Sequence, residues 1–402
     1  MTDSAYDALI LGAGPSGSCA AILLAQAGWN VALVEQSRFP RAKVCGEFIS
    51  ASNAPVLRAL GLEEVLGSHA GPPVRQLAVL RGQHQVLAPM PAAPDRPWGY
   101  ALNRALLDTV LLQRACAAGA TLWTPWKAVR CERHPGRLRC LVRARPGGAA
   151  RWLSGRIVIA AHGSWEAGAL PSQISKQPAN ASDLLAFKAH FTRHSLPPER
   201  MALFVAPGAY GGLVTSDTGA LSMSCCVRRK TLQQLRAAGD GAGAALEQYL
   251  CRSVTGVARV LRNAERQGPW LAAGPLRTGW RAAPMPGLFL VGNTAGEAHP
   301  LIAEGISMAL QSAALLAQLL AASGGALGDS LLAAVEQQYR ARWRAALLPR
   351  LRWSGLLAAL ALHPSASAPI MGLLRTWPGL LTWSARRAGK VARPRMPEFP
   401  AA

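Results

Sequence analysis

Residues 6–17 read Tyr6-Asp7-Ala8-Leu9-Ile10-Leu11-Gly12-Ala13-Gly14-Pro15-Ser16-Gly17. The run 6–11 is short and apolar, as a strand buried on both faces requires. After the glycines, Ala20, Ala21, Leu23, Leu24 and Ala27 recur at helical spacing. A second apolar run, Trp29 to Val34, then ends at Glu35. Strand, glycine turn, helix, strand and acid together predict a nucleotide-binding βαβ unit. Gly12 permits the tight turn, Gly14 admits a pyrophosphate to the backbone, and Gly17 lets the helix pack against the strand. The N-terminus of the helix, with Ser16 in its first turn, offers free N–H groups to phosphate. Glu35 can accept ribose hydroxyls. A second G-x-G-x-x-A match, Gly239, Gly241 and Ala244, follows polar helix-like sequence rather than a strand, and reads as a loop between helices.

The 402 residues suffice for two or three domains, and half of them are apolar. Eight cysteines show no metal spacing, and Cys225 and Cys226 are adjacent, which suggests reduced thiols in a cytoplasmic protein. No basic leader opens the chain, and the longest apolar run, Trp353 to Leu362, falls short of a membrane span. The net charge is +22, and only six of the 43 basic residues are lysine. The arginines are scattered and come with no nucleic-acid motif, which argues against nucleic-acid binding and for attraction to anionic surfaces or acidic partners.

Farther along, Ala101 to about 118 reads as a helix, and Leu138–Arg145 and Arg156–Ala160 as strands. Short strands at Leu184–Phe191, Leu203–Ala206, Gly211–Ser216 and Ala220–Val227 predict an inserted, mostly antiparallel sheet. A strand at Leu288–Val291 runs into Gly292-Asn293, and a helix opens at Gly305 after His299, Pro300 and Glu304. The helix N-terminus can stabilise negative charge on a neighbouring ring, and Glu304 reads as a first-turn acid satisfying helix N–H groups.

With these motifs in order, the chain resembles the FAD-dependent oxidoreductases of the aromatic hydroxylase, geranylgeranyl reductase and flavin-dependent halogenase superfamily. Arg104, in Leu102-Asn103-Arg104-x-x-Leu107-Asp108, falls on the flavin-binding arginine of that family. Gly292-Asn293 falls on its Gly-Asp, and Glu304-Gly305-Ile306 on its Glu-Gly-Ile, with Ala303 replacing a glycine. The implied fold class is α/β: a Rossmann-like FAD-binding parallel sheet with an inserted, mostly antiparallel substrate domain and a helical C-terminus. The segments are 1–168 and 276–325 for FAD, 169–275 for substrate, and a basic helical region at 326–402.

The resemblance implies FAD as cofactor. The family's Asp-Gly is His162-Gly163 here, so NAD(P)H either binds transiently or gives way to a partner flavin reductase. The implied reaction is monooxygenation of a hydrophobic aromatic or polyketide-like molecule in secondary metabolism. The alternative is reduction of a carbon–carbon double bond, favoured by Lys43-x-Cys45-Gly46, which resembles the reductase branch. Halogenation fits less, because no Trp-x-Trp-x-Ile-Pro segment occurs, and a non-catalytic flavin-binding partner is a further reading.

Lys43 and Cys45 read either as bordering the reaction centre or as surface charge and small filler. His299 reads as a proton-transfer group or a cap, and His162 as a hydrogen-bonded strand end. Arg41 either reaches the flavin or is a solvated loop charge. Trp165 and Trp280 are candidate pocket walls or core. The arginine-, tryptophan- and leucine-rich tail suits a membrane interface, an acidic carrier protein, or a lid over the pocket.

Overall fold

The computed structural model describes residues 4–92, 98–175, 177–236, 241–324 and 328–391. Strands Thr121–Trp123, Val31–Val34, Ser4–Leu11 and Ala150–Ala160 lie side by side in parallel. The last is long enough to serve two neighbours on one edge. Its first half, Ala150 to Gly155, pairs antiparallel with Arg137–Ala144, and its end, Val158 to Ala160, pairs parallel with Leu288–Leu290. The apolar runs read as buried strands are buried: Leu9, Ile10, Leu33 and Ile159 have no measurable exposure. The helices Pro15–Gln26 and Gly305–Ala322 pack on each other over this sheet.

The second sheet has seven strands in the order Glu265–Ala273, Leu184–Thr192, Leu221–Arg228, Ala209–Thr215, Arg200–Ala206, Gln76–Arg81 and His84–Pro89. All neighbours are antiparallel except Arg200–Ala206 beside Gln76–Arg81. The hairpin 76–89, which sequence reading leaves among loops of the first segment, therefore completes the substrate-side sheet. Its second strand shows no clean polar–apolar alternation, since Leu87 faces solvent with His84 and Gln85 while Val86 and Ala88 are buried. Of the second glycine match, Gly239 lies outside the described residues, Gly241 caps the helix Ala242–Ser253, and Ala244 lies inside that helix rather than in a loop.

Among the described residues, two helices contain an 18-residue window that by length and composition could cross a membrane, contrary to the expectation that no run is long enough. In Gly305–Ala322 the window has a mean hydropathy of 1.5 and is 78% buried, so it is a core helix made apolar by alanine and leucine. Asp329–Leu362 packs through a stripe of Val335, Tyr339, Trp343, Leu347, Leu351, Ser354, Ala358 and Leu362, three or four residues apart, and turns Arg340, Arg342, Arg344 and Arg352 outward while Arg350 is buried.

Candidate functional site

One continuous cavity runs between the carboxyl ends of the parallel strands and the face of the second sheet. At one end it is lined by Gly12, Gly14, Ser16, Glu35 and Arg41. Lys43, Cys45, Gly46 and Arg104 follow, then Asn293, His299, Pro300, Gly305 and Ile306. Sequence positions up to 294 residues apart thus meet in one groove. Gly17 and Gly292 stand behind the wall. A Cβ on Gly17 would lie 1.8 Å from the Gly12 carbonyl oxygen, and Gly292, at φ 59°, sits against Ser16. Both shape the turns that line the cavity.

The glycine turn has open space where it matters. A Cβ on Gly14 would meet nothing nearer than an Arg41 guanidinium nitrogen at 3.9 Å, and one on Gly305 would meet nothing within 4 Å. The helix Pro15–Gln26 begins there with Gly14 as its cap and no side chain covering its first N–H groups. These free donors, with the Arg41 guanidinium beside them, are the chemistry a pyrophosphate needs.

Arg41 is held rather than solvated. It contacts Glu35 at 2.7 Å and Asp108 at 3.5 Å and stacks on Phe39. Glu35 also accepts the Ala13 N–H at 2.9 Å and the Ser37 N–H at 2.8 Å, so it braces the turn as well as facing the cavity. Asn103 caps the helix Arg104–Ala117 by accepting the Ala105 N–H at 2.8 Å. Arg104 then grips Asp108 one turn on, through bonds of 2.7 and 2.9 Å. Burial alone would lower its pKa, but the Asp108 carboxylate and the neighbouring Cys45 together raise it. Burial and then the Arg41 charge lower the pKa of Lys43. Cys45 accepts the Glu47 N–H at 3.3 Å, beside Arg104. Together these positions offer FAD a glycine cradle, a fixed cation, a strand-end acid at Glu35 and a strand-end amide at Asn293, so the residues present fit it.

Glu304 does something other than cap its helix. Its side chain makes no capping bond. The carboxylate is buried instead between Lys390 at 2.8 Å, Arg350 at 3.8 Å and the Ser50 hydroxyl at 3.2 Å. Lys390 also donates to the Ala303 carbonyl at 3.0 Å and lies over the Phe48 ring. Ala303 takes a left-handed φ of 50°, where the family has glycine, so this strained turn beside the cavity is pinned from the C-terminal segment. Lys390→Met is expected to cost about 3 kcal/mol by orphaning a buried charge and to raise the FAD dissociation constant. Flavin-fluorescence titration and thermal melting check both; a lower melting temperature at unchanged affinity would limit Lys390 to stability.

His162 is a strand-end residue, bonded to Ser172 at 2.9 Å and to the Gly163 carbonyl at 3.0 Å. Burial depresses its pKa to about 4, so it is neutral at pH 7. Trp165 lines the cavity and donates to Glu297 at 2.9 Å. Trp280 does not line it: it packs under Arg344, against a separate hollow on the far side.

Two groups escaped sequence reading. Glu47, at φ 62° and 1% exposed, lines the cavity and pairs with Lys188 at 2.5 Å and His190 at 2.9 Å. Burial would raise its pKa, but the His190 bond and the Lys188 charge bring it down to about 2. The signal was Lys188 itself, a single charge inside the apolar strand Leu184–Thr192, which had to have a partner. Tyr210 is the other. Its hydroxyl lies 3.2 Å from His299 Nδ1, and Thr278 Oγ1 lies 3.4 Å from Nε2. Burial lowers the pKa of His299 and raises that of Tyr210. The Ser354 hydroxyl accepts the His299 N–H at 3.0 Å and fixes the backbone before Pro300.

Comparison with known proteins agrees with this geometry. A family profile described as an FAD binding domain matches residues 5–348. A menaquinone reductase of Mycobacterium tuberculosis is 33% identical over 127 residues, 32% of this chain and 31% of that protein. The chain thus aligns with less than a third of the length of that curated relative. Among solved structures, the flavin-dependent brominase Bmp2 superposes with a TM-score of 0.74 at 17% identity, covering 96% of this chain and 94% of that one. A geranylgeranyl bacteriochlorophyll reductase-like protein from Thermoplasma acidophilum gives 0.69 at 18% identity, covering 97% and 93%. These two show the shared fold. With most of its length matched, the chain belongs to the FAD binding domain family, a family of FAD-dependent oxidoreductases.

Proposed function

We propose that this protein is an FAD-dependent monooxygenase acting on a hydrophobic aromatic small molecule that carries a ring hydroxyl. The observation that carries this reading is the contrast within the cavity wall. The second sheet presents Ala186, Met201, Leu203, Val214 and Cys226 to it, and on that apolar face stands the Tyr210–His299 pair. A flat apolar ring suits the face, and its hydroxyl suits the pair. Bound FAD supplies the redox chemistry: electrons from NAD(P)H, taken up transiently or through a partner flavin reductase, and activation of dioxygen.

The chain's own residues bind, orient and move one proton. His299, neutral at pH 7, accepts the proton of the substrate hydroxyl as it ionises, and the Tyr210 hydroxyl stabilises the charge. The ionised ring is richer in electrons at carbon and takes up one oxygen atom, while the other leaves as water. The apolar face keeps bulk water away. Lys43 and Cys45 border this centre and hold it with Arg104 rather than taking a bond-making role.

The second reading is reduction of a carbon–carbon double bond, with Tyr210 delivering the proton. The partial match to a menaquinone reductase and the Lys43-x-Cys45-Gly46 segment favour it. Stopped-flow mixing of the reduced holoprotein with oxygenated buffer separates the two. Oxygen transfer predicts a transient absorbance before the oxidised flavin spectrum returns; direct reoxidation with no transient, with and without phenolic ligand, speaks for reduction. His299→Gln is expected to lower kcat roughly 100-fold while leaving flavin content unchanged. A variant with normal kcat would remove His299 from proton transfer.

A further inference from the structure

The last two helices, Pro364–Thr376 and Gly379–Ala388, leave an unusual surface exposed. Leu373, Trp377, Leu380 and Trp383 are 43%, 60%, 37% and 49% exposed, and they cluster at the turn between the helices. Single exposed apolar residues are ordinary, but two tryptophans and two leucines at one tip are not. The surrounding charge has one sign. The sequence holds no Asp or Glu between Glu336 and Glu398. Arg375, Arg386 and Arg387 are exposed, and among the described residues none of them meets a carboxylate. Arg387 lies over the Trp353 and Trp383 rings, which themselves meet edge to face at 5.4 Å.

The inward side of the same helices reaches the cavity. Leu381, Ala385 and the half-buried Leu374 pack with Phe48, Met201, Leu203, Val214 and Ala303, all of which line it. The two-helix tip therefore joins an exposed apolar, cationic surface to the back wall of an apolar pocket.

We propose that the 364–388 helices dock this protein on the surface of an anionic phospholipid bilayer, with Leu373, Trp377, Leu380 and Trp383 in the interfacial layer and the arginines at the phosphates. Tryptophan and leucine with arginine rims is the composition such a layer takes, and the missing acids remove the repulsion an anionic surface would impose. The helices lie on the surface rather than crossing it: Leu381, Ala385 and Lys390 remain buried against the body of the protein. The pocket wall behind them then faces the source of a lipophilic substrate. This inference does not depend on which reaction the flavin site runs, because docking is read without turnover.

The test is co-sedimentation of the FAD-loaded full chain with phosphatidylglycerol–phosphatidylcholine vesicles and with phosphatidylcholine alone. The protein is expected to pellet with the anionic vesicles, less so in high salt, and weakly with the neutral ones. Replacing Leu373, Trp377 and Leu380 together by serine touches exposed side chains only. It is expected to lower the partition coefficient roughly 100-fold with no change in melting temperature or flavin content. Arg375→Glu with Arg386→Glu is expected to abolish the preference for phosphatidylglycerol. Wild-type protein left in the supernatant with both vesicles overturns the proposal, as does unchanged pelleting of the triple-serine variant. A dimer seen by light scattering that the serine variant loses, without vesicle binding, would give the face to a second copy instead. Capture by an acidic carrier protein without vesicle binding would likewise replace the bilayer as occupant.

Discussion

Gly17→Ala is expected to give a protein without flavin. The added Cβ would sit 1.8 Å from the Gly12 carbonyl oxygen and 3.1 Å from the Ala161 Cβ, so the obstacle is backbone and cannot swing away. Gly12 cannot retreat either. It holds φ 106°, donates to the Val34 carbonyl at 2.8 Å, and lies close enough to Ala161 that its own Cβ would be 2.7 Å from that carbonyl oxygen. Relieving the clash means parting the helix Pro15–Gln26 from the sheet, which opens the cradle and strips buried contacts from Ala20, Ala21 and Leu24. A loss of several kcal/mol follows from overpacking and lost burial. Gly14→Ala separates binding from folding: its Cβ meets only Arg41 at 3.9 Å, but projects where the pyrophosphate must come. That variant is expected to melt like wild type and bind FAD at least tenfold more weakly. Flavin absorbance per chain and circular-dichroism melting read both. A Gly17→Ala protein with full flavin content would contradict the assignment of the turn.

Lys188→Met is expected to cost about 4 kcal/mol, the usual consequence of leaving one member of a buried ion pair alone. Glu47 would keep His190 at 2.9 Å, with the Ser216 hydroxyl at 3.3 Å, but lose its nearest cation. The pH dependence carries the signature. The Glu47 pKa is depressed in the folded protein, from an ordinary 4.5 to about 2. Its contribution is therefore present above about pH 4.5 and is lost as pH falls toward 2. Denaturant melts of wild type should weaken across that window, whereas the variant should be weaker at neutral pH and lose less as the pH falls, because only the His190 bond still depresses the Glu47 pKa. Equal stability of the two at pH 7 would show that the pair contributes nothing. Because Glu47 lines the cavity and also meets the Arg104 N–H at 3.3 Å, the variant is expected to release flavin more readily as well.

The parts of this fold legible in sequence are those set by local spacing. The glycine turn, its strands, the helix after Arg104 and the turn at Gly292 depend on residues a few positions apart, and the structure puts them where the pattern does. What stayed hidden depends on partners far along the chain. The strand Gln76–Arg81 is recognisable only beside Arg200–Ala206, more than a hundred residues later. Glu304 looks like a first-turn acid until Arg350, from the helix Asp329–Leu362, and Lys390, just past the last helix, arrive to bury it. Trp280, beside Arg281, reads from sequence as a pocket wall or core, and Arg344 covers it away from the cavity. Arg41 had two equal readings from sequence, and only the third dimension supplies Asp108 and Glu35 to hold it. Lys188 was the missed opportunity, since a lone ammonium in an apolar strand implies a buried carboxylate before any fold is known.

The most direct test of the central claim is a single turnover of the FAD-loaded, chemically reduced protein with a hydrophobic alkylphenol under dioxygen carrying the heavy oxygen isotope, with products read by mass spectrometry. Oxygen transfer gives a product bearing one labelled oxygen atom, at a yield that His299→Gln sharply reduces. An unlabelled product, together with flavin reoxidation by an apolar quinone or alkene in the absence of oxygen, would contradict it and assign the cavity to reduction.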